Sequence, residues 1–193
     1  MWGRTGAATW APTENWLDGK PRVTTVDEVV IRYLAAFGPA SVRDIAAWCG
    51  LSSLREVTDR LGARLRRFRT DDGVELLDLP DAPRPDPDTP APVRFLPEYD
   101  NALLSYADRS RVIADAHHVP LLGGKGGYVG TVLVDGSVKA TWALRRNGAR
   151  ATLTISRSLP LDARDTGEVT EEGARLLAFL TPGEDPDIAF AGP

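Results

Sequence analysis

A chain of 193 residues, 42% hydrophobic and 26% charged, can bury one sizeable core or two small ones, which excludes disorder of the whole. Its single cysteine, Cys49, excludes an intrachain disulfide framework and suits a reducing cytoplasm; no apolar run approaches the roughly 18 residues of a membrane span, and nothing at the N-terminus reads as a signal peptide. The net charge of −4 is unusual for a nucleic-acid binder, but it hides segregation: Arg22 to Arg69 holds nine arginines against five acids, residues 71–100 two against nine, residues 101–150 seven Lys/Arg against three Asp, and residues 151–193 three against eight. A polyanion would meet two basic regions set between acidic ones, unless these charges balance one another in three dimensions.

Residues 1–24 scatter Trp2, Trp10 and Trp16 among Gly, Pro and Thr, so an irregular segment that packs on something else is expected. Thr25 then begins a helix as N-cap, with Glu28 at the capping-box position and Val26, Val29, Val30, Tyr33, Leu34 and Phe37 recurring at helical intervals until Gly38-Pro39. Ser41 caps a second, short helix with Asp44 at the box position, and Gly50-Leu51-Ser52 is a tight turn. The third helix runs from Ser53 to about Ala63 with Leu54, Val57 and Leu61 inward. Helix, short turn and helix read as a helix-turn-helix. Two extended runs, Leu65 to Arg69 and Val74 to Asp78, flank a Gly-terminated turn and read as its wing, so that residues 25–79 form a winged helix-turn-helix.

Residues 80–92 are rich in Pro and Asp and should be an extended linker, with a second domain over 93–182 and a tail over 183–193. In that second domain Asn101 to about Ile113 has helical character, and Gly123 to Gly127 is a glycine-rich loop. Tyr128 to Val134, Val138 to Leu144 and Ala149 to Ile155 alternate as strands joined at Asp135-Gly136 and Asn147-Gly148, which predicts an antiparallel meander. A closing helix over Val169 to Leu180, with Glu168, Glu171 and Glu172 about its first turn, completes an α+β chain: a winged helix followed by a small antiparallel β-barrel-like domain.

A winged helix places its third helix in the major groove while the wing and helix ends hold phosphates. The candidates are Ser53, Arg55, Arg60 and Arg64 on and after that helix, and Arg66, Arg67 and Arg69 on the wing. Against base readout, Glu56 stands four residues before Arg60 as a helical ion pair, and Asp59 adds a carboxylate to the outward face. The second basic region offers Arg109 and Arg111, and a hairpin tip with Arg145, Arg146 and Asn147, which either enters a groove or is a solvated turn. Catalytic groupings are not visible. Gly123 to Gly127 lacks the Ser or Thr that a phosphate loop needs after Gly-Lys, and His117 and His118 have no companions for a zinc site. No cofactor or metal is implied.

The runs Val30 to Leu51, Phe95-Leu96-Pro97-Glu98-Tyr99-Asp100-Asn101, Ala107 to Ile113 and Thr131-Val132-Leu133-Val134-Asp135-Gly136, in this order and spacing, resemble the C-terminal half of the bacterial winged-helix (AlkZ-like) DNA glycosylases over residues 23–182. The resemblance implies tandem winged helices with a β-barrel-like domain, and excision of alkylated bases or unhooking of crosslinks without a metal. It also implies a catalytic pair of glutamines, one apolar residue apart, in an N-terminal winged helix. This chain contains no glutamine, so no catalytic residue carries over. The expectation is a cytoplasmic, nucleoid-associated protein that binds double-stranded DNA without catalysis of its own. The alternatives are one part of a split or truncated glycosylase, completed by a missing N-terminal region or a separate chain, and a transcription regulator or protein-interaction module.

Overall fold

The structure, a computed structural model, describes residues 10–113 and 129–192. Trp2, the two histidines and the Gly123 to Gly127 loop lie outside the described residues. The fold is mixed α and β, with six α-helices and two sheets among the described residues. None of those helices is long and apolar enough to cross a membrane.

A short helix, α1 (Thr13–Leu17), precedes the first core and buries none of its residues. In α2 (Val26–Phe37) the capping box is made in full: Thr25 Oγ1 accepts from the Glu28 amide, and Glu28 accepts from the Thr25 amide. In α3 (Val42–Cys49) Ser41 and Asp44 repeat the arrangement, and Gly50 ends the helix at φ 68°, a left-handed conformation that glycine adopts without steric cost. The last of the three, α4 (Leu54–Leu61), starts one residue later than its spacing predicts. Ser53 has φ 59° and makes no side-chain cap, so the serine serves as the turn. Val30, Leu34, Ile45, Leu54, Val57 and Leu61 pack into one core, which half-buried Cys49 adjoins.

A 3₁₀ turn (Gly62–Arg64) leads into β1 (Arg66–Arg69), which pairs antiparallel with β2 (Glu75–Asp78). The connecting turn closes through Thr70 and Val74, with Gly73 at φ 88°. Leu77 is wholly buried in the core, where its backbone also exchanges hydrogen bonds with Ala40 at 2.9 and 2.7 Å. The proline-rich stretch that follows is less extended than its composition suggests. Arg84 turns back to donate to the carbonyls of Leu79, Pro80 and Ala82 and to buried Asp78.

The second sheet has the order β3 (Arg94–Leu96), β4 (Gly130–Val134), β5 (Ser137–Asn147), β6 (Arg150–Arg157), β7 (Asp185–Ala191). The meander β4–β5–β6 is as the turn signals predict, with Asp135 and Gly136 both at positive φ. At the second turn the central pair is Gly148-Ala149 rather than Asn147-Gly148, since Asn147 still pairs with Arg150. The sheet does not close into a barrel. The chain leaves β6 through α6 (Ala163–Leu180) and returns as β7 parallel to β6, a crossover that leaves β3 and β7 as open edges. Residues 185–191, expected as tail, are therefore a strand.

Helix α6 begins six residues before the expected Val169, capped by Asp162, whose carboxylate accepts from the Asp165 amide. Glu168 and Glu172 thus lie in mid-helix, paired with Arg164 and Arg175. Val169 and Leu177 sink into the sheet beside Leu153 and Ile155, and Gly173 allows the approach, since a Cβ there would lie 3.1 Å from Leu153 Cδ2.

The predicted helix after Asn101 stops at Leu104 (α5, Asn101–Leu104). The physical reason is Asp44: its Oδ1 accepts from the amides of Ala107 and Asp108 at 2.9 and 3.3 Å, so these donors go to α3 instead of a helical ladder. Tyr33 Oη donates to the Ser105 carbonyl at 2.6 Å and Tyr106 Oη to that of Phe37 at 2.9 Å. These bonds tie residues 105–108 to the three-helix core, and burial holds the Tyr33 hydroxyl far above the ordinary phenol range.

Candidate nucleic-acid interface

The outward face of α4 and the β1–β2 hairpin adjoin, and an ion-pair chain joins them. Arg67 of β1 reaches Glu75 Oε1 at 2.9 Å across the hairpin and Asp59 Oδ1 of α4 at 3.4 Å, while Arg55 of α4 lies 3.6 Å from Glu75 Oε2. Arg67 holds the Glu75 carboxyl below the usual range, and the carboxylates in turn raise Arg67. Arg60 does not take Glu56, four residues earlier, as its partner. Its guanidinium is paired with Asp27 at the start of α2, 33 residues away, and lowers that carboxyl. A carboxylate on a packed neighbouring helix prevails over the i,i+4 partner, which acts on Arg60 only through space.

Three predicted cations on this face are therefore matched by three carboxylates. The remaining ones differ. Arg64, exposed, ends the 3₁₀ turn. Arg66 lies over the Phe68 ring at 5.0 Å, and Arg84 lies over the same ring at 5.3 Å. Arg69 donates to the Gly73 carbonyl at 3.3 Å, inside a turn that also carries Asp71 and Asp72. Among the described residues, Arg64, Arg66 and Arg69 have no carboxylate within ion-pair distance. Ser53 is exposed at the start of α4.

The second basic region is dispersed. Arg111 donates to the Pro39 carbonyl at 2.7 Å and stacks on Tyr106 at 4.9 Å, so it belongs to the contact that docks residues 105–111 on the helices. Arg109 beside it is half-buried. Asp108 is kept below the ordinary carboxylate range by the Ser110 amide. At the β5–β6 tip, Arg146 is held by Glu184 at 3.0 Å and by the Leu180 carbonyl at 2.9 Å, and Arg150 by Asp187 at 3.2 Å. Arg145 and Asn147 are exposed. The structure thus brings Arg55, Arg60 and Arg67, with Arg64, Arg66 and Arg69, to one helix–hairpin unit, and sets Arg109 and Arg111 apart from Arg145, Arg146 and Asn147.

Sequence reasoning missed Asp27, Glu75, Glu184 and Asp187, the acids that take up these arginines. Their separations of 8 to 38 residues leave no local signal. Among the described residues no group of three or more His, Cys, Asp or Glu side chains is disposed to hold a metal ion.

No curated protein matches the sequence. Among solved structures, the DNA glycosylase AlkZ of Streptomyces sahachiroi superposes with a TM-score of 0.69 at 20% sequence identity, over 89% of this chain and 48% of that one. At that identity the likeness speaks for the fold, and the chain spans about half the length of the relative. The model of the family described as "DNA glycosylase AlkZ-like" matches residues 1–179, nearly the whole of this sequence, and the chain belongs to that family.

Proposed function

We propose that this chain is a winged-helix, double-stranded-DNA-binding protein of the DNA-repair glycosylase type, acting in the cytoplasm on the chromosome and without base excision of its own. The observation that carries the reading is the pairing of Ala40 with Leu77. It adds a third extended segment, from between α2 and α3, to the β1–β2 hairpin. Helix, strand segment, two helices and hairpin in that order match what a winged helix would have, which supports the reading. The unit then spans residues 25–79, with a second domain from residue 93 whose residues 105–111 dock on it. Within it, Arg64, Arg66 and Arg69 make the phosphate contacts and α4 reads little sequence, because its arginines already have carboxylate partners. Arg109 and Arg111, and at a separate place Arg145, Arg146 and Asn147, add weaker contacts.

Fluorescence anisotropy with a short random-sequence duplex tests this. Binding should weaken steeply with salt, and Arg66→Ala with Arg69→Ala should lower the slope of log affinity against log salt by about two, roughly one unit per lost phosphate contact. No binding even at low salt would end the reading.

A second reading is favoured by one observation, the 48% of AlkZ that this chain covers: the chain is one part of a glycosylase completed by further sequence, in cis or in trans. Abasic sites formed in alkylated duplex only on adding the complementing part would establish it. Abasic sites formed by this chain alone would overturn the non-catalytic reading.

A further inference from the structure

The cations of the helix–hairpin face are held in two different ways. Arg64, Arg66 and Arg69 have no carboxylate within ion-pair distance among the described residues, whereas Arg55 and Arg67 share one. Glu75 divides itself between them: Oε1 takes Arg67 at 2.9 Å, and Oε2 lies 3.6 Å from Arg55. Arg67 has a second acid in Asp59 at 3.4 Å, while Arg55 has Glu75 alone among the described residues. Both arginines face solvent, the Arg55 side chain at 67% exposure. In the hairpin register Glu75 stands directly opposite Arg69, whose guanidinium turns to the Gly73 carbonyl instead. A phosphate held by Arg69 would therefore lie close to the Glu75 carboxylate, and like charges facing each other across a strand pair repel.

We propose that Glu75 is a built-in competitor for DNA, an inference that rests on the DNA-binding reading above: it withholds Arg55 and Arg67 from the backbone in the free protein and gives them up when a phosphate reaches Arg69. Contact then runs in two steps. Arg64, Arg66 and Arg69 meet the strand first. The incoming charge pushes Glu75 aside, and Arg55, the more loosely held of its two partners, turns to the backbone. Arg67 follows only in part, because Asp59 still holds it. Glu75 is the first residue of β2, beside the turn, so its side chain can swing away without disturbing the Leu54, Val57 and Leu61 packing that fixes α4.

Fluorescence anisotropy of the full chain with the same random-sequence duplex tests this, with far-UV circular dichroism to check that each variant keeps its fold. Glu75→Gln preserves the size of the side chain and should tighten binding several-fold. The slope of log affinity against log salt should steepen by about one, for the phosphate contact that Arg55 gains. Two comparisons separate this from simple loss of a negative charge. Glu56→Gln removes the same charge from α4, at a residue with no arginine in ion-pair distance among the described residues, and should tighten binding less with no change of slope. Arg55→Ala should cost more affinity in the Glu75→Gln background than in the wild type, where Arg55 is withheld. Wild-type affinity in Glu75→Gln, equal gains from Glu75→Gln and Glu56→Gln, or equal costs of Arg55→Ala in the two backgrounds would each overturn the proposal and leave the DNA-binding reading standing. If neither the wild type nor Glu75→Gln binds duplex even at low salt, that reading fails and the proposal with it.

Discussion

In the helical half, buried polar groups add tertiary contacts to an apolar core. Asp44, 4% exposed, accepts from Ser41, Ala107 and Asp108; Asp78, 1% exposed, holds Arg84; Tyr33 reaches across to Ser105. In the sheet half the core is Val132, Leu153, Ile155, Val169 and Leu177, with threonines as its buried polar side chains. Both halves have an apolar core, and the helical half adds a few directional bonds to buried polar groups, so single substitutions should act on them differently.

The largest effect should come from the apolar side. Leu153→Ala opens a cavity beneath α6 and should cost about 2–5 kcal/mol in a denaturant melt; a loss below 1 kcal/mol would mean that α6 can settle into the gap. Next, Asp44→Ala strands several donors at once and should cost about 1–3 kcal/mol. Amide exchange should rise at Ala107 and Asp108 and not in β4–β6, and a uniform rise would show that the two halves open together. Thr25→Ala removes one capping bond and should cost about 1 kcal/mol, read as fraying of α2. The smallest effect belongs to the surface pairs. Because Arg67 lowers the Glu75 carboxyl, the stability this pair supplies is full above about pH 4.3, the unfolded value, and is lost as pH falls through the depressed one. Glu75→Gln should flatten that acid limb and leave stability at neutral pH nearly unchanged. An unaltered acid limb would assign it to Asp27 or Glu28, which are lowered in the same direction.

The same division governs what could be read from sequence. Thr25 with Glu28 and Ser41 with Asp44 are local signals, complete within four residues, and the structure makes both boxes. Asp135-Gly136 is equally local. The end of α5, by contrast, is decided by Asp44 more than 60 residues earlier, and the open sheet by where residues 185–191 settle after α6. Neither carries a periodicity of its own. For the interface, the arginines were legible and their occupancy was not: Arg60 has a plausible partner at Glu56, and only the packing of α2 against α4 brings Asp27 closer.

That occupancy changes what kind of reaction contact with a polyanion is. A guanidinium surrounded by water and loose counterions releases them on meeting a phosphate, and the entropy of release drives association. Arg55, Arg60 and Arg67 have carboxylates where those ions would be. A phosphate arriving there must displace Glu75, Asp59 or Asp27, leaving an acid to be screened afresh from solution. At these three arginines contact with a polyanion would be ligand exchange rather than ion release, so the number of arginines overstates the sensitivity to salt, and added electrolyte would loosen the internal pairs that compete with the incoming strand.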